Sequence, residues 1–342
     1  MTVIDLDLAR EERTPGPDAR TMRAAVQDMY GPPEVLRVVD LSRPEPGRDA
    51  VLVRVHASSV TAADWRIRGA EFPTGFRTVG RLMFGLRRPR QRVTGREFAG
   101  SVVGLGPNAR GFHLGQCVHG IVDGGAAAQF VTVRCDGPVA PMPEGLTFRE
   151  AAALPFGAMC ALWFLRDAAR LARGERIAIL GAAGGVGVYA VQIAKALGGR
   201  VTAVCGHRNL DLVRGLGADE ALNYRAVPFP PPGGVFDVVF DAVGATTFAR
   251  CRPALATGAR FVPLEFGPRE IAQALRTRWR RGPKVLVAVS PDTHELLIET
   301  DAMVREGTLR PVIDRSYPLD EIAEAHRYVQ SRRRSGSVVI DV

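Results

Sequence analysis

The stretch RIAILGAAGGVGVYAVQIAKAL (176–197) decides the fold. Its continuous apolar run over 177–180 predicts a buried strand of a parallel sheet, and a glycine-rich loop joins this strand directly to an amphipathic helix. Glycine is needed where a turn is tight and where the backbone approaches a pyrophosphate, whose charge a helix N-terminus favours. The loop, GAAGGVG, departs from GxGxxG because Ala183 takes the second glycine position and Gly184 adds another small residue. It predicts a dinucleotide site.

Strands and helices alternate on both sides of this loop. The strand RVTAVC (200–205) precedes a helical stretch, and GVFDVVFDAV (234–243) and ARFVPL (259–264) are further predicted strands separated by helices. A lone glycine loop is compatible with a merely tight turn, but repeated strand–helix units favour a dinucleotide-binding sheet. We therefore predict an α/β fold, with a doubly wound parallel sheet domain of the Rossmann type over 151–290.

Short apolar runs separated by turns dominate residues 22–150, as in AVLVRVHASSV (50–60), and predict a β-rich, barrel-like domain. The last strand, GSVVIDV (336–342), follows two amphipathic helices and is expected to return to this domain, so that 291–342 completes it. Residues 1–21 contain acidic residues and lack a basic start, so they predict a flexible extension rather than a secretory signal.

Composition limits the functional classes. No apolar run is long enough to span a bilayer, the five cysteines occur singly, and the six histidines are dispersed, so we expect no membrane segment, no metal site and a reducing cytoplasm. The net charge of +9 is concentrated in arginine clusters at 81–92, 276–281 and 331–334. These are either solvated faces or a docking surface for an anionic partner or substrate. No nucleic-acid-binding motif is present.

The end of the second Rossmann strand predicts the cofactor. NAD sites usually place an acidic residue there for the ribose 2′-hydroxyl, but this chain has Gly206, His207, Arg208 and Asn209. Arg208, with His207 nearby, can pair with a 2′-phosphate, although an ordinary surface residue at a helix start is the alternative. NADPH (NADP) is therefore the predicted cofactor.

Several stretches together resemble the medium-chain dehydrogenase/reductase superfamily, and within it the zinc-free quinone oxidoreductase and enoyl reductase branch. The resemblance covers nearly the whole chain from Met22 to Val342 and implies that the β-rich domain is a GroES-like catalytic domain. The stretches that carry it are VHASSVTAADWRIRG (55–69), GREFAGSVVGLG (95–106), EAAALPFGAMCAL (150–162), LGAAGGVGVYAVQIAKALGGRV (180–201), LGADEALNYR (216–225) and GTLRPVIDRSYPLDEIAEAH (307–326).

The resemblance also indicates what is missing. Zinc alcohol dehydrogenases of this superfamily have Gly-His-Glu where this chain has Gly95, Arg96 and Glu97, and their other two ligands match Thr61 and about Phe156. Only the glutamate persists, so the resemblance implies chemistry without a metal. Because a quinone or an α,β-unsaturated carbonyl delocalises the charge left by an added hydride, such acceptors need a Lewis acid less than an isolated carbonyl does.

Candidate catalytic residues are Thr61, for a substrate oxygen or a ribose hydroxyl, Asp64, with a structural turn acid as the alternative, and Glu265, as a proton donor. The tyrosine that many quinone reductases carry after the Thr61 position is Ala62 here. The predicted cofactor-binding residues are Cys160, Gly181, Ala183, Gly184, Gly185, Val186, Gly187, His207, Arg208, Asn209, Tyr224, Asp241, Val243, Gly244 and Leu264.

Three functions remain open at this point. The first is a zinc-independent, NADPH-dependent reductase of a small-molecule quinone or enone; the second is a biosynthetic tailoring enoyl reductase acting on a carrier-protein- or CoA-bound chain; the third is a non-catalytic NADPH-binding protein. We also predict a homodimer that pairs through the apolar edge run KVLVAVS (284–290), the alternative being a monomer in which an arginine-rich helix covers that strand.

Overall fold

The computed structural model describes residues 20–72 and 77–342. Residues 1–19 of the predicted extension and residues 73–76 therefore lie outside the described residues. The strands of the described ranges are β1 Thr21–Val26, β2 Arg37–Ser42, β3 Ala50–Val60, β4 Glu97–Leu105, β5 Cys117–Ile121, β6 Phe130–Arg134, β7 Val139–Pro141, β8 Arg176–Leu180, β9 Arg200–Cys205, β10 Glu220–Asn223, β11 Phe236–Asp241, β12 Leu255–Pro263, β13 Lys284–Val285, β14 Ile313–Pro318 and β15 Ser337–Asp341.

The α-helices of the same ranges frame these strands. They are α1 Ala62–Gly69, α2 Arg77–Phe84, α3 Phe148–Ala152, α4 Pro155–Leu162, α5 Gly187–Ala196, α6 Leu210–Gly215, α7 Phe248–Cys251, α8 Pro268–Arg278, α9 His294–Arg305 and α10 Ile322–Gln330. None of the helices in the described part of the chain is both long enough and apolar enough to cross a bilayer.

One sheet consists of six parallel strands in the order β10-β9-β8-β11-β12-β13. With β8 counted as the first strand, this is the 3-2-1-4-5-6 order of a Rossmann fold. The order reverses between β8 and β11, and ligands of such sheets bind beyond the carboxyl ends of the strands at that point. The glycine loop follows β8 and the Asp241 loop follows β11, so both lie at the expected crevice.

The apolar run that predicted β8 is buried on both faces of the sheet. Ile177 and Ile179 pack into a core cluster with helix α5, whereas Ala178 and Leu180 pack into a second cluster on the opposite face with Phe261 of β12. Burial on both faces is what a continuous apolar strand predicts for a parallel sheet.

The second sheet has the order β14-β15-β3-β4-β5-β7, with β6 also paired to β3. Strand β15 is antiparallel to β3, with Val338 opposite Val60 and Val339 opposite Ser59. This pairing puts the last strand in the same sheet as β3. The strands of these two sheets fall inside the predicted domain ranges, whereas β1 begins at Thr21, inside the predicted extension; the division into domains stays a proposal.

Two predicted elements differ from the structure. The spacing of Thr147 and Glu150 predicts a capping box at the start of one long helix. The box forms, since the Glu150 amide donates to Thr147 Oγ1 over 3.3 Å, but the helix breaks into α3 and α4 because Pro155 starts a new helix. The prediction that KVLVAVS forms a strand throughout is wrong beyond Val285. There the segment is tied to helix α8, since the Val285 amide donates to Thr277 Oγ1, and Leu286 and Ala288 turn toward the core.

Candidate active site

The glycine loop forms a cradle at the N-terminus of α5. Gly181 has a φ of +74° and its carbonyl accepts from the Gly184 amide over 2.9 Å, which closes the turn. A Cβ atom at Gly187 would lie 2.1 Å from the Gly181 oxygen, so the turn and the helix touch there. At Gly184 a Cβ would meet only that oxygen, at 3.2 Å, within 4 Å, so this part of the cradle is open. The residues therefore fit a pyrophosphate, placed at a favourable helix end.

The loop after β11 supports this cradle from the side. The buried Asp241 carboxylate accepts the amides of Val243, Ala245 and Thr246 over 3.0–3.2 Å, and its carbonyl accepts from the Leu264 amide over 2.9 Å. A Cβ at Gly181 would lie 2.5 Å from Val243 Cγ1, so the two loops are packed together. Burial raises the pKa of Asp241, and the three amides counter only part of that rise. Asp241 thus fixes the loop in shape.

Basic and aromatic side chains lie beyond the ends of β9 and β10. His207 and Arg208 are exposed on a single helical turn that follows Gly206. Tyr224 is 55% exposed, and its ring lies 3.7 Å from the position of a Cβ on Gly206. The Arg225 guanidinium lies 5.8 Å from the centre of the Tyr224 ring. Two arginines and a tyrosine hydroxyl therefore lie along the edge where a 2′-phosphate would bind.

The segment before β15 completes the cleft, which the sequence analysis missed. The Gly336 amide donates to the Ala183 carbonyl over 2.8 Å, and Ser335 Oγ donates to Asn209 Oδ1 over 2.8 Å. The Arg334 guanidinium donates to the Val60 carbonyl over 3.0 Å, and its Nη2 lies 2.7 Å from a Cβ built on Gly185. The sequence analysis places Arg334 in the arginine cluster 331–334. Its position directly before a strand expected to return to the β-rich domain is the feature that could have predicted its place in the cleft.

Thr61 and Asp64 are engaged with each other at the start of α1. The Thr61 hydroxyl and amide donate to Asp64 Oδ2 over 2.5 and 2.7 Å, and the Asp64 amide donates back to Thr61 Oγ1 over 3.3 Å. This is a capping box. Because the single hydroxyl proton of Thr61 is used, its oxygen can accept from a ribose but does not donate to a substrate. The geometry favours the structural alternative for Asp64.

The Glu265 carboxylate, two residues after β12, is paired with two arginines. It forms ion pairs with Arg66 of α1 and, over 3.4 Å, with Arg332, which also donates to the Val243 carbonyl over 3.1 Å. A carboxylate that accepts from two guanidinium groups links the two sides of the cleft. These ion pairs argue against a role for Glu265 as a proton donor.

Arg96 and Glu97 lie side by side at the start of β4. Glu97 is buried; its Oε1 accepts the Phe156 amide over 2.6 Å and its Oε2 accepts from Ser59 Oγ. Arg96 Nη2 forms an ion pair with Asp292 over 2.5 Å. The glutamate thus joins β3, β4 and α4, and the arginine joins β4 to the segment before α9.

Comparison with known proteins gives the family. Residues 216–340 match the family model described as zinc-binding dehydrogenase, and residues 47–144 match the alcohol dehydrogenase GroES-like domain. A spinach protein named quinone-oxidoreductase homolog, chloroplastic, is 30% identical over 94% of this chain and 99% of its own length. The chain belongs to the medium-chain dehydrogenase/reductase superfamily. It lies in the quinone oxidoreductase-like branch of that superfamily and is an oxidoreductase that uses a nicotinamide cofactor.

Solved structures and a longer relative agree with this placement in the medium-chain superfamily. The quinone oxidoreductase from Coxiella burnetii superposes with a TM-score of 0.82 at 28% identity, covering 94% of this chain and 99% of that one. A mycobacterial protein solved in complex with NADPH gives 0.77 at 25% identity, covering 94% and 100%. A mycocerosic acid synthase-like polyketide synthase of Mycobacterium tuberculosis is 32% identical over 96% of this chain, which spans 15% of that protein.

The positions that hold zinc in other members of the superfamily do not fit a metal here. Thr61 is used in a cap, Arg96 carries a positive charge and Phe156 offers only its backbone amide to Glu97. Across residues 20–72 and 77–342, no group of three or more histidine, cysteine, aspartate or glutamate residues is arranged to hold a metal ion. We derive no catalytic step through zinc.

Cys160 is buried in α4 among core side chains. Burial raises the pKa of its thiol to about 12, so a thiolate is not available near neutral pH. Cys160 therefore contributes packing next to the predicted cofactor position rather than a nucleophile.

Glu97 makes stability depend on pH. Burial raises the pKa of Glu97 from 4.5 to about 7, against the lowering effect of its hydrogen bonds from Ser59 and Phe156. Because the folded chain holds this proton more tightly than the unfolded one, the contribution is complete below about pH 4.5 and is lost as the pH rises through about 7. Between these pH values we expect the free energy of unfolding of Glu97→Gln to fall by about 1–3 kcal/mol less than that of the wild type.

Thermal unfolding of both proteins across this pH range tests the prediction. The wild type should lose more of its unfolding temperature between the acidic and the mildly alkaline end than the glutamine variant. Parallel curves would contradict it.

Proposed function

We propose that this protein is a zinc-independent reductase that uses NADPH to reduce a quinone or an α,β-unsaturated carbonyl. The observation that carries the proposal is Arg96, which stands where zinc-dependent members of the superfamily have a ligand histidine and forms an ion pair with Asp292. A guanidinium cannot bind zinc, but it can stabilise negative charge on an oxygen. This property suits an acceptor whose charge is already delocalised.

When bound, the cofactor would supply a hydride. The chain's own residues hold it through the glycine cradle and the loop anchored by Asp241, and they close the crevice through the ion pairs of Glu265 with Arg66 and Arg332. These contacts support a role in orientation and exclusion of water, which is most of what hydride transfer asks of a protein.

NADPH rather than NADH is proposed because of the edge formed by Arg208, Tyr224 and Arg225. The exposed guanidinium of Arg208 is free of hydrogen-bond partners among the described residues, and no carboxylate there would favour an unsubstituted ribose. The NADPH-bound mycobacterial relative supports a nicotinamide cofactor in general, and the proposed preference for NADPH over NADH rests on these side chains.

Steady-state oxidation of NADPH tests the proposed activity. We expect turnover with 9,10-phenanthrenequinone and with simple enones, and no turnover with a plain alcohol and NADP. Saturable NADPH binding without turnover on either acceptor class would instead support the non-catalytic alternative.

The second candidate is an enoyl reductase that acts on a carrier-protein- or CoA-bound chain. It is favoured by the likeness to a region of a polyketide synthase, which makes up only part of that larger protein. An enoyl-CoA thioester reduced with a much higher kcat/KM than a free enone would select this candidate over the first.

The homodimer stays a proposal with a changed interface. Helix α8 contacts β13, as the monomer alternative requires, and Val285 bonds to it. However, three large apolar side chains of α8, of its C-cap and of the segment after β13, Leu275, Trp279 and Val289, are 60%, 82% and 78% exposed. We propose that they lie in an isologous contact of two copies.

A cytoplasmic location likewise stays a proposal, since the spinach relative is named chloroplastic.

Light scattering at micromolar concentration should give the mass of a dimer. Trp279→Glu should shift it toward the monomer, because a carboxylate would be buried without a partner. Leu114→Glu, at a residue 61% exposed on a barrel loop, is the matched control and should leave the mass unchanged. A wild-type monomer would rule the contact out.

A further inference from the structure

The side chain of Arg96 lies at the wall of a cleft of about 740 Å³. Val122, Asp123, Gly124 and Asp292 also line this cleft. The Arg96 side chain is 15% exposed, so most of it is buried while a part of it faces the cleft. A ligand that enters the cleft can therefore reach this guanidinium.

The guanidinium is held in one orientation. Asp292 accepts from Nη2 over 2.5 Å, and the Arg96 carbonyl accepts the Val122 amide over 2.7 Å, which fixes the backbone. The next residue, Glu97, is anchored to the Phe156 amide over 2.6 Å. Burial opposes the charge, but Asp292 and Asp64 outweigh burial and raise the pKa of Arg96, so the group is a permanent cation.

Arg96 also lies next to the proposed reaction centre. The adjacent residue, Glu97, accepts from Ser59 Oγ, two residues before Thr61, and from the Phe156 amide at the start of α4 over 2.6 Å. Arg96 is therefore near both elements expected to flank the nicotinamide, which are the segment that leads into α1 and the start of α4.

We propose that Arg96 is a catalytic residue that binds the carbonyl or quinone oxygen of the substrate and stabilises the negative charge that develops there. Asp292 occupies one of the guanidinium nitrogens; a guanidinium carries five N–H donors, so others remain for a substrate oxygen. The inference rests on the proposed reductase function and assigns Arg96 the electrostatic role that a metal plays in zinc-dependent members of the superfamily.

With an enone as substrate, the reaction is addition of a hydride to the β-carbon and of a proton to the α-carbon. A hydride, supplied with two electrons by bound NADPH, forms a bond to the β-carbon, and the former C=C pair becomes a bond between the α-carbon and the carbonyl carbon. The C=O pair moves onto oxygen, where N–H groups of Arg96 hold the enolate. A solvent proton then adds to the α-carbon and the carbonyl forms again. NADPH becomes NADP⁺, and Arg96 keeps its proton throughout.

Asp292 is a positioning residue in this scheme. Its carboxylate touches Arg96 and sets the direction of the remaining donors. We expect Asp292→Asn, which keeps one hydrogen-bond acceptor, to lower kcat less than loss of the guanidinium does and to leave the affinity for NADPH unchanged.

Substitution of Arg96 tests the inference. Removal of a donor that stabilises an oxyanion costs about 100- to 1,000-fold in kcat, so Arg96→Met should show a loss of that order with an enone, with Arg96→Lys in between. The matched control is Arg149→Met, which removes an arginine that pairs with Asp341 on the outside of the same barrel and should change little. If Arg96→Met keeps kcat within about threefold of the wild type while the wild type is active, the inference is wrong.

A binding measurement without turnover separates this inference from the proposed function. With NADP⁺ present, 4-nitrophenol should bind to the wild type mainly as the coloured phenolate, so its apparent pKa should fall on binding, and Arg96→Met should abolish that fall. If the wild type reduces no acceptor but still binds the phenolate in this Arg96-dependent way, the proposed function fails and the oxyanion site stands. Equal phenolate binding by wild type, Arg96→Lys and Arg96→Met would overturn the site, whatever the activity.

Discussion

Replacing Gly187 with alanine should remove most of the affinity for the nicotinamide cofactor. The added Cβ would lie 2.1 Å from the Gly181 carbonyl oxygen and 2.8 Å from the Cα of Ala182, and backbone atoms cannot move aside as a flexible side chain can. The glycine turn would have to shift away from α5. Overpacking of this kind costs about 1–3 kcal/mol, and because the strain lies in the cradle itself we expect the dissociation constant to rise by about one to two decades.

Fluorescence titration with NADPH measures this effect. Gly215→Ala is the control, because a Cβ on Gly215 in α6 would meet nothing within 4 Å. It should bind NADPH as the wild type does and unfold at the same temperature or slightly above it. Wild-type affinity in Gly187→Ala would mean that the loop is not the pyrophosphate cradle.

Arg208→Ala should weaken NADPH and leave NADH nearly unchanged. A charge-assisted hydrogen bond to a phosphate contributes roughly 1.5–3 kcal/mol, which corresponds to about one to two decades in affinity. Tyr224 and Arg225 lie along the same edge and would keep part of the preference, so the loss should be large but not total.

The control for this variant is Arg214→Ala. Arg214 lies in the next helix, α6, and pairs with Asp211 on the surface over 2.9 Å. Its loss should not change either dissociation constant. Equal losses of NADPH and NADH affinity in Arg208→Ala would show that Arg208 does not contact the 2′-phosphate.

The parts of this structure that were predictable are those whose signals are local. The apolar run of β8, the glycines after it and the alternating helices predict the parallel sheet, because each feature follows from a short stretch of chain. The capping box at Thr61 and Asp64 was equally local. Thr61 and Asp64 have the same spacing as Thr147 and Glu150, and both pairs form capping boxes. The spacing therefore favours a cap at Thr61 and Asp64 over the catalytic role predicted for them.

The parts that were not predictable depend on residues far apart in sequence. The ion pairs of Glu265 with Arg66 and Arg332 join residues far apart in the chain, so the sequence around Glu265 does not indicate them, and a role as proton donor is predicted instead. In the sequence, Arg334 belongs to an arginine cluster typical of a surface. In the structure it lies against the glycine loop, because β15, which follows it, pairs with β3. The predicted strand does not continue beyond Val285 for the same reason. The residues that this segment contacts instead, Thr277 of α8 and side chains of the core, lie elsewhere in the sequence or in the fold.

Zinc content and activity, measured on one sample before and after dialysis against a chelator, test the central claim most directly. The sample should reduce a conjugated enone with NADPH while holding no stoichiometric zinc, and chelation should leave kcat unchanged, because Arg96, paired with Asp292, stands where zinc-dependent relatives have a ligand histidine. Stoichiometric zinc that leaves the protein together with its activity, and that restores activity when added back, would contradict the account.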